Sequence, residues 1–310
     1  MTKAPTAYQF IYIKDNFMAL QYKTKGFIYK KRDRGEADRI FTVFTYDFGK
    51  INVWAKSIRK INSKLKSGID IFYLSDIEFV QGKKRTLTDA VLINKFTEIT
   101  KTPEKFIIAK KVAKLLDDFV KGEQHDHEIF NLINETFEKL NQLSCRRHCD
   151  GIAIPEAIQS KGTNSRLPRS PNELAHNDGK IRSQLLYLSF AWNFFAILGY
   201  KPQIINCAHC HSKLNEKELY FSNKDGGVIC KNCYVPNTLD SRFSPHFAGE
   251  AGRGNDIVIN SDIIKILRII FKNDWEILLK LKINLETQKQ LNQISKNYYL
   301  YLLSNHKFSK

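Results

Sequence analysis

Four cysteines in two closely spaced pairs are the residues of this chain best suited to chemistry. Cys207 and Cys210 form one Cys-x-x-Cys pair, and Cys230 and Cys233 form a second pair after nineteen intervening residues. Two such pairs at this separation are typical of a four-cysteine zinc site. A two-residue gap lets one tight turn present two thiolates to a tetrahedral ion. We therefore predict a structural Zn²⁺ with no open coordination position.

Two alternatives use the same cysteines differently. The pairs could be turns without metal, or one of them could be a thioredoxin-like redox pair. Redox motifs are rarely doubled at this distance, and no strand–helix pattern surrounds either pair. The intervening residues instead favour a small hairpin, because 219–221 and 228–229 are apolar and 226–227 is a Gly-Gly turn.

Basic side chains are the second set of candidate functional residues. Residues 1–100 contain 19 Lys and Arg against 10 Asp and Glu, which is more than half of the net charge of +17. Such an excess predicts a polyanionic partner, with nucleic acid ahead of an anionic membrane surface. Basic groups release counterions from phosphates, which gives affinity that is independent of sequence. The candidate nucleic-acid-binding residues are Lys30, Lys31, Arg32, Arg34, Arg39, Lys50, Lys56, Arg59, Lys60, Lys64, Lys66, Lys83, Lys84 and Arg85.

Each of these basic residues has an ordinary alternative as part of a solvated surface, so the prediction rests on the cluster. Aromatic side chains in the same region can stack bases, each worth roughly 1–3 kcal/mol. The candidates are Phe41, Tyr46, Phe48 and Trp54. For each of them, a place in the hydrophobic core is the more common use.

A β-rich pattern over residues 24–100 must position the basic cluster. Segments rich in β-branched and aromatic residues predict five strands at 27–29, 39–46, 51–55, 69–80 and 86–93. Five short strands in about seventy residues suit a small closed barrel such as an OB-fold. Residues 1–23 are expected to be an N-terminal extension.

Helical periodicity replaces the strand pattern after residue 100. Thr102 and Pro103 mark the start of a helix that ends at Gly122. Further helices are predicted around 129–140 and over 181–199, 257–271 and 287–303. Segments 144–180 and 234–255 lack periodicity and are predicted to be long exposed loops.

The predicted architecture is therefore α+β. An N-terminal OB-fold β-barrel at 24–100 is followed by an all-helical domain, which begins at 101–205 and resumes at 236–310. The zinc ribbon at 206–235 is expected to be an insertion between helices that pack together. No run of about eighteen apolar residues is present to span a membrane, and the first twenty residues lack the apolar core of a signal peptide. A cytoplasmic protein is expected, in a reducing compartment that suits free or metal-bound cysteines.

Weaker constellations do not predict catalysis. The motif Cys-Arg-Arg-His-Cys at 145–149 offers only three ligand types, so free thiols fit better than a second metal site. The motif His-Asp-His-Glu at 125–128 lies at a helix start, where polar residues are ordinary. A zinc deaminase would need a paired His-x-Glu motif, and the glycines at 249–254 lack the lysine of a P-loop.

The chain resembles the RecO family of bacterial DNA-repair and recombination-mediator proteins. The resemblance rests on segments 26–28, 34–40, 42–45, 49–51, 55–60 and 63–65, on Leu-Gly-Tyr-Lys-Pro at 198–202, on the four cysteines and on 221–227. It runs from about residue 24 to the end of the chain. It implies an OB-fold, a helical domain and an inserted zinc ribbon.

The same resemblance implies a function. A family member is expected to bind single- and double-stranded DNA, to anneal strands and to help load a recombinase, without catalysis. The implied partners are RecR and the C-terminal tail of the single-strand binding protein, which an apolar groove edged by Lys or Arg in the helical domain would receive. Nucleoid association is implied as well.

This chain departs from the family pattern at several positions. The N-terminal extension is extra, Arg34 replaces the usual aromatic residue before the Gly-Glu pair, and segments 144–180 and 234–255 are long. These departures bear on partner contacts more than on the fold. An alternative from another functional class is a zinc-ribbon protein that binds or modifies RNA, which would need a cleft of convergent polar groups.

Overall fold

The computed structural model of the chain describes residues 8–13, 17–143, 171–214, 218–234, 257–281 and 283–308. A β-sheet forms the first part of this structure, and helices with a small second sheet form the rest. The predicted loops fall largely at 144–170 and 235–256, outside the described residues, as do Cys145 and Cys149. No helix within the described residues combines the length and the apolar character needed to cross a bilayer.

Six strands of the described chain form the first sheet. They are β1 Tyr8–Ile13, β2 Phe17–Arg34, β3 Asp38–Thr45, β4 Gly49–Ala55, β5 Leu74–Gln81 and β6 Thr86–Asn94. The sheet order is β1-β2-β3-β4-β6-β5, and β5 also pairs with β2. Strands β2 to β6 thus form the five-stranded arrangement of an OB-fold. The sequence predicted a closed barrel, but this prediction is wrong. The barrel is open because β4 and β6 pair only at Trp54 and Thr86.

Strand β2 is much longer than its sequence pattern predicts. A strand was expected at 27–29, whereas β2 has 18 residues. It pairs with β1 and β5 in its first half and with β3 in its second half. One long strand can therefore serve two neighbours, and part of the predicted N-terminal extension belongs to the sheet. Strand β5 in turn begins at Leu74, after a short 3-10 turn at 64–67.

The helical part confirms most of the predicted helices and corrects their limits. The helices are α1 Thr97–Lys101, α2 Pro103–Phe119, α3 His127–Gln142, α4 Pro171–Ile197, α5 Ser261–Phe271, α6 Trp275–Lys280 and α7 Leu285–Phe308. Helix α2 starts at Pro103 as predicted. Helix α4 begins ten residues before the predicted start, so part of the predicted 144–180 loop is helical. The polar motif at 125–128 starts α3, where the Asp126 carboxylate accepts from two backbone N–H groups.

A second sheet contains the predicted hairpin between the cysteine pairs. Strands β7 Leu219–Ser222 and β8 Gly227–Cys230 form this hairpin, and β9 Ile257–Ile259 pairs with the other edge of β7. A helix was predicted at 257–259. Strand β9 leads directly into α5. The ribbon is therefore connected to the helices through its own β-sheet, in addition to the chain connections at its two ends.

Two apolar cores hold the molecule together. The smaller core fills the barrel and includes Ile28, Phe41 and Val43. The larger core joins the outer side of the barrel to the helices and the ribbon. At the junction, the ring of Phe137 on α3 lies 4.4 Å from that of Phe27 on β2. Buried aromatic contacts therefore connect the OB-fold to the helices.

Gly49 and Gly35 offer a matched test of how closely the two parts approach. Both have a positive φ, of 63° and 60°. A Cβ at Gly49 would lie 2.2 Å from the backbone oxygen of Gln124, whereas a Cβ at Gly35 would meet nothing within 4 Å. Gly35→Ala should cost about 1–2 kcal/mol of unfolding free energy through backbone strain alone. Gly49→Ala should cost more, because the Gln124 backbone must also move.

Urea denaturation of the two variants measures this difference. Equal losses of unfolding free energy would contradict this expectation, because they would mean that the backbone at Gln124 moves away from the new Cβ without cost.

Candidate nucleic-acid interface and four-cysteine centre

A groove of about 690 Å³ lies on the outward face of β2, β3 and β4, beside the β5–β6 turn. Cross-strand pairing places Arg32 opposite Ile40 and Ile40 opposite Trp54, so these side chains share one face. The next residue of β3, Phe41, points into the barrel core. The groove lining is Arg32, Arg34, Ile40, Lys50, Asn52, Trp54, Gln81, Lys83, Lys84, Arg85, Gly122 and Glu123. Six of the predicted nucleic-acid-binding residues are among them.

Carboxylates from the helical part neutralise some cations of this face. Asp117, near the end of α2, lies 2.7 Å from Nζ of Lys30 and 2.8 Å from Nζ of Lys50. Glu123 lies 2.7 Å from the Arg85 guanidinium. Burial acts to raise the pKa of Asp117, but the bonds from the two lysines outweigh it and leave this pKa lowered. Asp117 therefore stays ionised between them.

Lys50 uses all its donors within the protein. Its ammonium donates to Oδ1 of Asp117 at 2.8 Å and to the backbone oxygens of Asp117 and Val120 at 3.2 Å. A lysine ammonium has three donors, and carbonyls at a helix C-terminus lack partners within the helix. Lys50 therefore holds the end of α2 against the sheet.

Other cations of the groove have no such partner. Three of them are exposed and have no carboxylate within ion-pair distance among the described residues: Arg32, Arg34 and Lys83. The Lys84 ammonium lies 4.0 Å from the centroid of the Trp54 ring. These four cations remain available to a polyanion.

Apart from Lys30, the remaining predicted residues lie away from the groove. Lys31, Arg39 and Arg59 lie on the opposite face of the β2–β3 arm. There, Lys31 pairs with Asp70 at 2.6 Å, and Asp33 pairs with Arg39 at 2.6 Å and Arg59 at 3.8 Å. Exposed lysines also occupy the connection between β4 and β5: Lys56, Lys60, Lys64 and Lys66. The sequence cluster is thus divided over at least two surfaces.

Only Trp54 of the four aromatic candidates lines the groove. Phe41 is fully buried in the barrel. The ring of Phe48 packs edge-on against Phe79 at 5.6 Å, and that of Tyr46 stacks on His127 at 4.0 Å. The common alternative, a place in packed structure, therefore holds for three of the four.

The four cysteines converge as their spacing predicts. One turn holds Cys207 and Cys210, and the end of the β7–β8 hairpin holds Cys230 and Cys233. Their sulfurs all lie within 4.8 Å of one another. The sulfurs of Cys210 and Cys230 are 3.8 Å apart. This distance matches the separation of two sulfur ligands in a tetrahedral zinc site with Zn–S bonds of roughly 2.3 Å. The cluster therefore fits a tetrahedral metal ion.

Electrostatics in this cluster also favour a cation. The Ser212 hydroxyl lowers the pKa of Cys210 to about 6, whereas hydrogen bonding to Cys210 raises the pKa of Cys233 to about 12. One thiolate thus suppresses the ionisation of its neighbour. A bound dication allows four thiolates to coexist.

A second cavity, of about 830 Å³, lies in the helical part between α2, α4 and α7. Helix α4 supplies an apolar floor of Tyr187, Leu188, Ala191 and Phe195. Four lysines surround it: Lys111, Lys180, Lys289 and Lys296. We name this site the lysine-rimmed groove. Burial, with the nearby Lys180, lowers the pKa of Lys111, whose ammonium donates only to neutral Gln184 at 3.2 Å among the described contacts.

The sequence prediction placed no residue in this groove. Its lysines come from three helices that are distant in sequence, and each alone resembles a solvated residue. The seven-residue spacing of Lys289 and Lys296 on α7 is the one local signal of a shared helix face.

Comparison with known proteins gives two family models that match the chain. Recombination protein O N terminal matches residues 18–96, and Recombination protein O C terminal matches residues 173–249. Together the matched segments make up half of the chain.

Several bacterial proteins named DNA repair protein RecO are similar to this chain over most of their length. The protein of Dehalococcoides mccartyi (strain 195) is 29% identical over 271 residues, which is 87% of this chain and 86% of the relative. The protein of Alkaliphilus metalliredigens is 24% identical over 288 residues, covering 93% of this chain and 96% of the relative. A third, from Desulforamulus reducens, is 22% identical and covers 91% and 90%.

The four-cysteine centre should hold one zinc per chain by elemental analysis. Cys230→Ser should lose most of this metal and lower the thermal unfolding midpoint, because a structural zinc contributes folding free energy directly. Cys145→Ser is the matched control, since Cys145 belongs to neither Cys-x-x-Cys pair. Zinc retained in Cys230→Ser, or absent from a parent protein with four freely titratable thiols, would contradict the assignment.

Proposed function

Because the chain belongs to the RecO family of DNA repair proteins, we propose that it is a non-catalytic mediator that binds DNA through the groove of its OB-fold. Its role lies in DNA repair and recombination. We propose binding of single- and double-stranded DNA, annealing of complementary strands and loading of a recombinase on DNA covered by single-strand binding protein. Such a protein acts in the cytoplasm, on the nucleoid, with zinc as a structural ion.

The position of the groove is the observation that carries this proposal. OB-folds bind oligonucleotides across their second and third strands, between the first and fourth connecting loops. In this chain those elements are β3, β4, the turn at 35–37 and the turn at 82–85. The groove lies there, with Asn52 and Trp54 from β4 and Lys83 and Lys84 from the turn.

The distribution of charge indicates a path for the phosphates. Asp117 and Glu123 stand on the side of α2, where they neutralise Lys30, Lys50 and Arg85. The available cations are Arg32, Arg34, Lys83 and Lys84. A phosphate backbone would follow these four residues and keep away from the carboxylates. Such contacts are electrostatic and tolerant of base sequence.

Annealing follows from the same contacts. Two strands repel each other through their phosphates, and cations that neutralise one backbone lower this repulsion. Because phosphate contacts leave base edges free, a held strand can still pair with its complement.

The salt dependence of binding tests the phosphate path. Arg32→Ala combined with Lys83→Ala should weaken binding of a labelled single strand. The slope of log affinity against log salt should become shallower by about 0.7 for each lost contact, so by about 1.4 in total. Lys265→Ala with Lys280→Ala is the control, because it removes the same charge from lysines paired with acids on α5 and α6.

Fluorescence anisotropy at several salt concentrations measures these slopes. An unchanged slope in the groove variant would place the DNA on another surface, such as the connection that holds Lys56 and Lys60. The annealing rate of complementary strands should fall in the groove variant and not in the control.

We further propose that the lysine-rimmed groove receives the C-terminal tail of the single-strand binding protein. Such tails in bacteria are acidic and apolar. The apolar floor suits their apolar side chains, and four lysines suit their carboxylates. Lys111 is the best placed to meet the terminal carboxylate, because it lines the groove beside the apolar floor and lacks a charged partner among the described residues. RecR is proposed as a further partner on the family resemblance alone.

A tail peptide binding to the full chain tests this groove. Lys111→Ala should weaken binding about ten-fold or more, as expected for a lost hydrogen bond to a charged group. Lys101→Ala, an exposed lysine of α1 paired with Glu98, is the matched control. Amidation of the peptide C-terminus should have an effect similar to Lys111→Ala.

The pH dependence has a definite sign. The lowered pKa of Lys111 means that its charge is lost at a lower pH than usual for lysine, so peptide affinity should fall as pH rises through that pKa. Fluorescence polarisation of a labelled peptide measures both effects. Equal affinities for the parent and Lys111→Ala would exclude this groove as the carboxylate site.

A further inference from the structure

Trp54 differs from the other two tryptophans of the chain in its surroundings. Trp192 is fully buried and Trp275 is 6% exposed, whereas Trp54 is half-buried and lines the groove. Its indole Nε1 donates to Oδ2 of Asp38 at 2.9 Å, and Oδ1 of Asp38 accepts from the Ser57 backbone N–H at 2.7 Å. The carboxylate thus fixes the edge of the ring and leaves its face to the groove.

Lys84 covers the face of this ring without any stronger attachment. Its ammonium lies 4.0 Å from the ring centroid, and within the described residues it has no carboxylate in ion-pair distance. A cation–π contact at an exposed site is worth about 0.5–1 kcal/mol. A base stacked on an aromatic side chain is worth about 1–3 kcal/mol. A base can therefore take the place of the ammonium on the ring.

We propose that Trp54 is a stacking platform for one unpaired nucleobase, and that Lys84 leaves the ring to bind the phosphate of the same strand. This inference rests on the proposed function of the groove. It adds a preference, because bases in a duplex are already stacked on each other and cannot use the platform without being unpaired. The groove should therefore favour single strands over duplexes.

Within the part of the chain that the structure describes, the platform has no second member on this face. Phe41, Tyr46 and Phe48 are held in packed structure, as described above, and Ile40 is the apolar neighbour across from Trp54. One stacked base at a defined position, with phosphate contacts on either side, is the arrangement that the described groove residues allow. Because every base has an aromatic face, this contact tolerates any sequence.

Tryptophan fluorescence reports the contact directly. Titration of the full chain with oligothymidylate should quench the emission of Trp54, since the other two tryptophans are buried. Trp54→Leu should abolish this quenching and weaken single-strand binding by about 5-fold to 150-fold. Duplex affinity should stay unchanged.

Trp54→Phe is the matched variant that separates stacking from the bond to Asp38. Both variants lose the indole N–H, but only phenylalanine keeps an aromatic face, so it should retain most of the single-strand affinity. Trp54→Leu should also leave the salt slope unchanged, because the ring carries no charge. Lys84→Ala should keep the quenching and make the slope shallower by about 0.7. The urea midpoints of all three variants check the fold.

The outcomes separate this inference from the proposed function. Salt-dependent binding of single strands with equal affinity in the parent and Trp54→Leu would overturn the stacking platform and leave the phosphate path intact. Equal weakening in Trp54→Leu and Trp54→Phe would also overturn it, because the bond to Asp38 would then be what matters. Failure of the parent to bind any DNA would overturn the proposed function itself.

Discussion

The aromatic contacts between the barrel and the helices are the interaction on which the groove of the barrel depends. The centroid of the Phe137 ring lies 4.4 Å from that of Phe27 and 5.6 Å from those of both Phe72 and Phe96. Aromatic pairs add about 0.5–1.5 kcal/mol each beyond the burial of their area, and two of these three are edge-to-face. They press the helices onto one end of the outward face of β3, where Phe44 is fully buried. The other end of that face stays open as the groove that we propose to bind DNA.

The same contact decides how the positive charge of the barrel is used. It brings Asp117 and Glu123 to the groove, where they neutralise cations from three separate strands or turns. Partly exposed ion pairs of this kind contribute little to stability, so their main effect is on which cations a polyanion can reach. The net charge of +17 thus overstates the number of cations that the groove can offer to a polyanion. Cations on the opposite face of β2 and β3, such as Lys31 and Arg39, point away from the groove and reduce that number further.

The four-cysteine ribbon is structurally part of the helical domain. Strand β9 extends the ribbon sheet and leads into α5. On the inner side of β7, Phe221 packs against Trp192 of α4 at 5.8 Å and Tyr298 of α7 at 5.7 Å between ring centroids. Helices α4 and α7 also wall the lysine-rimmed groove. A metal ion in the four-cysteine centre would therefore stabilise α4 and α7 through the ribbon, although the ion itself would lie outside the lysine-rimmed groove.

The sequence alone determined the features that short segments encode. Several features appear as local patterns, because each needs only neighbouring residues. They are the cysteine pairs separated by two residues, the hairpin between Leu219 and Cys230, the strands β3 and β4 and the start of α2. The order of motifs also identified the family. Most of the fold and the whole four-cysteine cluster were predictable for this reason.

Only the tertiary structure decided which residues of the basic cluster can act together. Lys30 and its partner Asp117 are 87 residues apart, and the four lysines of the helical groove come from three separate helices. Strand β9 likewise takes a short segment from the predicted helix because β7 has a free edge for it. Pairing, burial and the choice of a free cation depend on contacts between distant segments. No local pattern contains that information, since each residue alone has the composition of an ordinary surface.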